Sequence, residues 1–182
     1  MGGNQRTYRK SRTRTITKIE VGNGESCDVF SLKETDACSF SWDDIRVICP
    51  LDKPNTFLID GGCYMFVDQE KTFNDAKSYC QRNRGRLFEP RTVHTNKLVA
   101  NKGFEVLNNK LWFGIITKNG QSGPWKYATS GENVVQTIWA NNGQPDEIRS
   151  ELCGYYHTSA SYREKWFDEV CTWSLRFICE FV

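Results

Sequence analysis

The spacing of apolar residues along the chain changes abruptly near residue 49. Residues 1–19 are polar and basic and carry no apolar period. Residues 20–48 scatter Phe30, Leu32, Phe40, Trp42, Ile45 and Val47 among acids, too little for an independent domain and too much for a linker. From Cys49-Pro50 onward the pattern becomes regular. Phe57-Leu58-Ile59, the Asp60-Gly61 turn signal and Cys63-Tyr64-Met65-Phe66 predict an opening hairpin. Thr72 to Arg82 reads as a helix, with Thr72 as N-cap, Phe73, Ala76, Tyr79 and Cys80 on one face and Gly85 stopping the run. Thr95 to Leu107 reads as a second helix, with Leu98, Val99, Phe104 and Leu107 inward and weakened by Gly103 by about 1 kcal/mol relative to alanine. Leu111–Thr117 is a run of large and β-branched residues expected to form a buried central strand. Turn residues follow around one short strand at Trp125–Tyr127, then residues 128–152 form a long loop with little regular structure. A further strand is expected at Trp166–Cys171.

Three segments therefore emerge: a basic flexible tail (1–19), a cysteine-containing extension leaning on the main domain (20–48), and that domain (49–182). The 182 residues suffice for one real core. The tail holds six Lys/Arg and no acid, and residues 20–60 hold nine acids against three bases, so head and neck could attract one another. Net charge is only +2, and the single aromatic of the tail, Tyr8, gives poor support for nucleic-acid stacking. No apolar stretch is long enough to span a membrane. The N-terminus lacks the apolar region of a signal peptide, which is expected to have been removed from a secreted form beginning here. Met1-Gly2 opens like a myristoylation signal, but Arg6 stands where Ser or Thr is required.

Eight cysteines imply a disulfide framework and an oxidising compartment. Zinc, the competing reading, needs short C-x2-C or Cys/His spacing, and even the closest pair, Cys171 and Cys179, has seven residues between its members. His94 and His157 have no partner for a nucleophile–base pair, and no hydrolase, zincin or phosphate-loop motif occurs, so the chain is not expected to be an enzyme. Arg82, Arg84, Arg86 and Arg91 cluster where the first helix ends, either as a solvated face or as a patch for sulfated glycans.

The candidate chemistry is oxygen-rich. Gln144, Asp146 and Glu151 surround Pro145 just ahead of Cys153, and Asp168 precedes Cys171 by three residues. Calcium takes six to eight hard oxygens from such groups. These residues resemble the C-type lectin-like family. The Q-P-D triplet, Glu151 two residues before a cysteine, the W-x-D of Trp166–Asp168 and the C-x7-C ending carry the resemblance. Phe73-x2-Ala76-x3-Cys80, Gly85-x-Leu87 and Leu111-Trp112-Phe113-Gly114-Ile115 extend it, so that it covers roughly residues 49 to 182.

The resemblance implies an α+β fold with two helices, two small antiparallel sheets and a long ordered loop. It implies the pairs Cys80–Cys179, Cys153–Cys171 and Cys49–Cys63, leaving Cys27 with Cys38, and a cis peptide before Pro145. It further implies one calcium ion held by Gln144, Asp146, Glu151 and Asp168, the same residues contacting a galactose or N-acetylgalactosamine ligand. Phe167 replaces the asparagine that the family places between tryptophan and aspartate, so one ligand oxygen is missing; the ring could instead offer an apolar face to a sugar. Restoring asparagine there is expected to strengthen calcium binding. A second, auxiliary calcium site is expected to be absent, because no acid lies between Glu105 and Glu132 and Leu152 stands before Cys153. The expected function is that of a secreted, extracellular, calcium-dependent lectin with a glycan or glycoprotein partner. The alternative is a calcium-independent module that recognises a protein, or acts structurally, through the same loop face.

Overall fold

The computed structural model describes residues 6–7, 39–40, 49–120, 123–146 and 152–181. Cys27 and Cys38, most of the tail and extension, and Glu151 lie outside the described residues. A two-residue antiparallel ladder pairs β1 (Arg6–Thr7) with β2 (Ser39–Phe40). The main body begins with β3 (Thr56–Ile59) and β4 (Gly62–Lys71), an antiparallel hairpin. Its two-residue loop has Asp60 and Gly61 both at positive φ, 50° and 82°, which suits the D-G pair seen in the sequence.

Helix α1 (Phe73–Arg82) starts where predicted: Thr72 Oγ1 accepts from the Asp75 amide and donates to its carboxylate at 2.7 Å. Its end is built differently from the expectation. The left-handed residue is Arg84, at φ 64°, and not Gly85. Gly85 is required by space, since a Cβ there would sit 2.7 Å from the Glu180 carbonyl oxygen. β5 (Arg86–Leu87) leads to α2 (Val93–Leu107), which begins two residues before the predicted start because Thr92 caps it through the Thr95 amide. Then come β6 (Leu111–Thr117), β7 (Lys126–Tyr127), β8 (Leu152–Tyr156), a 3₁₀ turn (Ala160–Tyr162), β9 (Trp166–Val170) and β10 (Leu175–Phe181).

The strands join in the order β3-β4-β10-β6-β8-β9, with β5 against β10 and β7 against β6. Two antiparallel groups were expected. They are fused into one hydrogen-bonded network by a parallel pairing of β10 with β6, Phe177 opposite Trp112. Successive side chains of these strands enter two separate cores. Met65, Trp112 and Phe177 face α1 residues Phe73, Ala76 and Cys80, whereas Phe66, Phe113 and Ile178 face Val99 and Ala100 of α2. A strand covered on both faces needs apolar residues at every position, which is why Leu111–Ile115 runs without polar interruption. Cys49–Cys63, Cys80–Cys179 and Cys153–Cys171 are all bonded.

The inward face of α2 differs from the predicted one. Asn96, Val99, Ala100 and Gly103 are buried, while Leu98, Phe104 and Leu107 are only half-buried flanks. Small residues bring the helix close enough for Leu111 and Phe66 to fill the gap. A Cβ on Gly103 would lie 2.6 Å from Leu111 Cδ1 and 3.1 Å from the Phe66 ring. Gly103→Ala should therefore lower stability by about 1–3 kcal/mol through overpacking, despite alanine's higher helix propensity. Chemical denaturation reads the sign directly; a gain in stability would mean that α2 is not pressed onto the strand here.

Glu180 on β10 is buried and accepts from Arg86 Nε at 2.5 Å. Burial pushes its carboxyl up to about 7, against the pull of Arg86. A raised carboxylate retains its proton longer in the folded chain, so the stability it contributes is complete below the ordinary carboxylate range and is lost as pH rises through about 7. Melting temperatures measured from pH 5 to 8 should fall across that window in the wild type and fall less in Glu180→Gln.

Candidate functional site

The long loop has no strand from residue 128 to 146, as predicted, but it is far from unattached. Its first anchor is Glu89, a residue the sequence reading passed over. The Glu89 side chain is fully buried, and one oxygen accepts from the Thr129 and Ser130 amides at 2.8 and 3.3 Å. The other oxygen takes Arg91 Nη2 at 2.9 Å, and Arg91 Nη1 reaches Glu132 at 2.6 Å. A buried carboxylate held by backbone amides and a guanidinium is a costly group fully compensated. Arg86 also approaches Glu89, at 3.9 Å. Two of the four clustered arginines, Arg86 and Arg91, are thus paired with acids of the domain, while Arg91, like Arg82 and Arg84, stays exposed to solvent. The only available signal was an isolated acid between Phe88 and Pro90, and that cannot be read without knowing where residue 129 returns.

The second anchor is the outer edge of β9. The Trp166 amide donates to the Ile138 carbonyl at 2.9 Å, and the Ala140 amide donates to the Trp166 carbonyl at 3.1 Å. Two residues further along β9, the Asp168 amide donates to Gln144 Oε1 at 3.1 Å, and the Asp146 amide donates to Asp168 Oδ1 at 2.9 Å. The peptide between Gln144 and Pro145 is cis, as expected, and a second cis peptide at Gly123–Pro124 was not anticipated. Trp166 itself is fixed from below. Its indole Nε1 and the Tyr156 hydroxyl both donate to Asn96 Oδ1 at 2.6 Å, and Asn96 Nδ2 donates to the Glu164 carbonyl at 2.9 Å.

Three of the four predicted ligand residues, Gln144, Asp146 and Asp168, are therefore gathered at one rim. Asp168 is buried, Gln144 half-buried and Asp146 exposed. The fourth, Glu151, lies outside the described residues, one position before the start of β8. The set consists of hard oxygens and is chemically suited to calcium. Among the described residues, no group of three or more His, Cys, Asp or Glu side chains converges to make a complete metal cage.

Phe167 has a different place from the one expected. It is only 6% exposed and packs among Tyr155, His157 and Tyr162 at ring-centroid distances of 5.6, 5.0 and 5.4 Å. It presents no open face to a sugar. His157 is part of the same cluster; its Nδ1 accepts from the Ser159 amide, and burial followed by the nearby Lys110 charge holds its pKa below the usual value. His94 is exposed and lies 3.2 Å from Asp60.

The Lectin C-type domain model matches residues 69–181, well over half of the chain. The chain belongs to the C-type lectin family. It is 30% identical over 140 residues to human lithostathine-1-beta, covering 75% of this chain and 80% of that protein. It is 26% identical over 138 residues to an alpha-N-acetylgalactosamine-specific lectin of Patiria pectinifera, covering 72% and 80%. Rat asialoglycoprotein receptor 1 is 28% identical over 74% of this chain, which spans 45% of the receptor's length. Among solved structures, a calcium-independent type II antifreeze protein superposes with a TM-score of 0.58 at 20% identity, over 70% of this chain and 92% of that one, and shows the fold alone. As a member of this family, the chain is a binding module and not an enzyme.

The burial of Phe167 sets a folding cost against any gain in calcium binding that asparagine at this position is expected to bring. Phe167→Asn would leave a cavity among three rings and bury an amide with no partner designed for it. The cost should be about 3–4 kcal/mol, in the range of large-to-small core changes. Thermal melting in chelator measures it without interference from any ion; an unchanged midpoint would contradict the packing described above.

Proposed function

We propose that this C-type lectin domain binds galactose-type glycans at the rim formed by Gln144, Asp146, Glu151 and Asp168, with calcium held by those four side chains. The observation that carries the reading is the reciprocal pair of hydrogen bonds, Asp168 N to Gln144 Oε1 and Asp146 N to Asp168 Oδ1. It brings both flanks of the Q-P-D triplet to the W-x-D strand, so an acceptor amide and two carboxylates share one surface. When bound, the ion would supply direct coordination of two vicinal sugar hydroxyls. The protein's own part is to fix donor and acceptor polarity across the rim, with Gln144 presenting an amide and Asp146 a carboxylate, which selects one hydroxyl geometry over another. The relative named for alpha-N-acetylgalactosamine specificity supports this sugar class. Disulfide content supports an extracellular setting.

One observation favours a second reading. Phe167 has traded a ligand oxygen for a place in the aromatic core, so the rim is one donor short of the family pattern. A calcium-independent module that recognises a protein through the loop face is consistent with that loss.

A single set of measurements separates the two. Asp146 and Asp168 repel each other in the absence of a cation, and a ligand specific to the folded state stabilises by RT ln(1 + [L]/Kd), about 2.7 kcal/mol at a hundredfold excess over Kd. Calcium should raise the melting temperature by several degrees and confer retention on immobilised galactose, and Asp146→Ala should abolish both. Identical melting in calcium and chelator, with no retention, would establish the calcium-independent reading instead.

A further inference from the structure

Between its contacts with β9 the long loop bends outward through Asn141, Asn142 and Gly143. The Ala140 amide donates to the Trp166 carbonyl at 3.1 Å, and the Asp168 amide donates to Gln144 Oε1 at 3.1 Å. Residues 141–143 therefore span two fixed points on one strand edge. All three are exposed, and none makes a hydrogen bond among the described residues. Gly143 stands at φ 100°, a conformation that favours glycine, with open space where a Cβ would lie.

Asparagine is a thermolabile residue. It is most so before glycine, whose backbone nitrogen reaches the asparagine Cγ with no side chain in the way. The chain holds three Asn-Gly pairs, of which Asn23-Gly24 lies outside the described residues. Asn119-Gly120 is bracketed: the Asn119 amide donates to Thr117 Oγ1 at 3.3 Å, and the Gly120 carbonyl accepts from the Gly123 amide at 3.0 Å. Asn142-Gly143 has no such bracket, so the rotation that brings nitrogen to Cγ breaks no hydrogen bond within the pair.

We propose that Asn142-Gly143 is a site of spontaneous deamidation whose isoaspartyl product releases Gln144 from β9. The Gly143 nitrogen gives up its proton and bonds to Asn142 Cγ, the Cγ–Nδ2 bond breaks, and Nδ2 leaves as ammonia. Water then opens the succinimide. Attack at the side-chain carbonyl restores an ordinary main chain ending in an aspartyl side chain. Attack at the main-chain carbonyl leaves an isoaspartyl link, with an extra methylene in the main chain and a free α-carboxylate two residues from Gln144. That insertion lengthens a segment pinned at both ends. The contact to yield is the single side-chain bond from the Asp168 amide to Gln144, since Ile138 and Ala140 are tied to Trp166 by two backbone bonds. The modification stands on the turn alone, while its effect on ligand rests on the glycan-binding reading of the rim.

The full chain, fresh and after incubation in mildly alkaline buffer, is digested and mapped by mass spectrometry. An isoaspartyl-specific methyltransferase with labelled S-adenosylmethionine marks the isoaspartyl product. The peptide holding Asn142 should convert from amide to acid before the peptide holding Asn119, and should accept the label. Asn142→Gln, an exposed change whose longer side chain disfavours ring closure, should accept none there. Hydrogen exchange reads the coupling. In the converted chain the Asp168 amide should lose protection while the Trp166 amide keeps it, and Asn142→Gln incubated alike should keep both. Conversion at Asn119 ahead of Asn142, or none at Asn142, overturns the site. Isoaspartyl conversion with an unchanged Asp168 amide overturns the release of Gln144. Retention on immobilised galactose in calcium keeps this proposal apart from the lectin reading. A fresh chain that is not retained sinks that reading and leaves the deamidation result standing, whereas retention that is lost on conversion supports both.

Discussion

The candidate site depends on how the outer edge of β9 is occupied. An edge strand presents unpaired amides and carbonyls, and most folds must cover or disrupt such an edge. Here the long loop covers it, using Ile138 and Ala140 against Trp166 and then Gln144 and Asp146 against Asp168. The first pair of contacts is backbone to backbone and the second uses side chains. The loop therefore begins at β9 as a short added strand and ends there as a rim of oxygens. A segment with almost no regular structure is given a fixed course, and the polar groups that fix it are the same ones proposed to meet a ligand.

That edge is stiffened from the other side by aromatic packing and one buried amide. Asn96 on α2 receives hydrogen bonds from both Trp166 and Tyr156, so the helix, β8 and β9 are tied at a single side chain. Phe113 stacks on Tyr156 at 4.4 Å and Trp139 meets Trp166 edge-on at 5.6 Å, which carries the order from the core into the loop. On the opposite face of β9, Phe167 closes a second aromatic group with Tyr155, His157 and Tyr162. The two faces of a five-residue strand thus perform different tasks. Exchanging Phe167 for a polar ligand would alter the packing face as well as the ligand set, and the departure from the family's W-N-D is a structural commitment of this chain.

Charge is distributed by the same logic. The acids that hold the loop's start, Glu89 and Glu132, are matched by Arg91, and Glu180 by Arg86. At the rim, Asp168 accepts from the Asp146 amide of the loop. Arginine forks serve where carboxylates are buried, since the guanidinium can satisfy several acceptors while remaining charged.

The sequence by itself determined much of the architecture. Periodicity placed α1, the central strand β6 and the D-G hairpin, and the cysteine spacing together with the family motif implied three pairings that the structure contains. The triplet Gln144-Pro145-Asp146 and the strand Trp166–Val170 were legible because short-range spacing carries them, and their meeting followed from a disulfide between nearby cysteines. The tertiary structure alone decided what depends on separation along the chain. Gly103 on the inner face of α2 read as a weakness until Phe66 and Leu111 came to lie against it, and Asn96 carried no signal until Trp166 and Tyr156 donated to it. Glu89 drew no reading at all until residues 129 and 130 returned to it. Phe167 read as a lost ligand with an open ring until His157 and Tyr162 covered it. In each case the residue's local pattern was uninformative because its partner stands five to seventy positions away, and hydrogen bonds and packing act through space rather than along sequence.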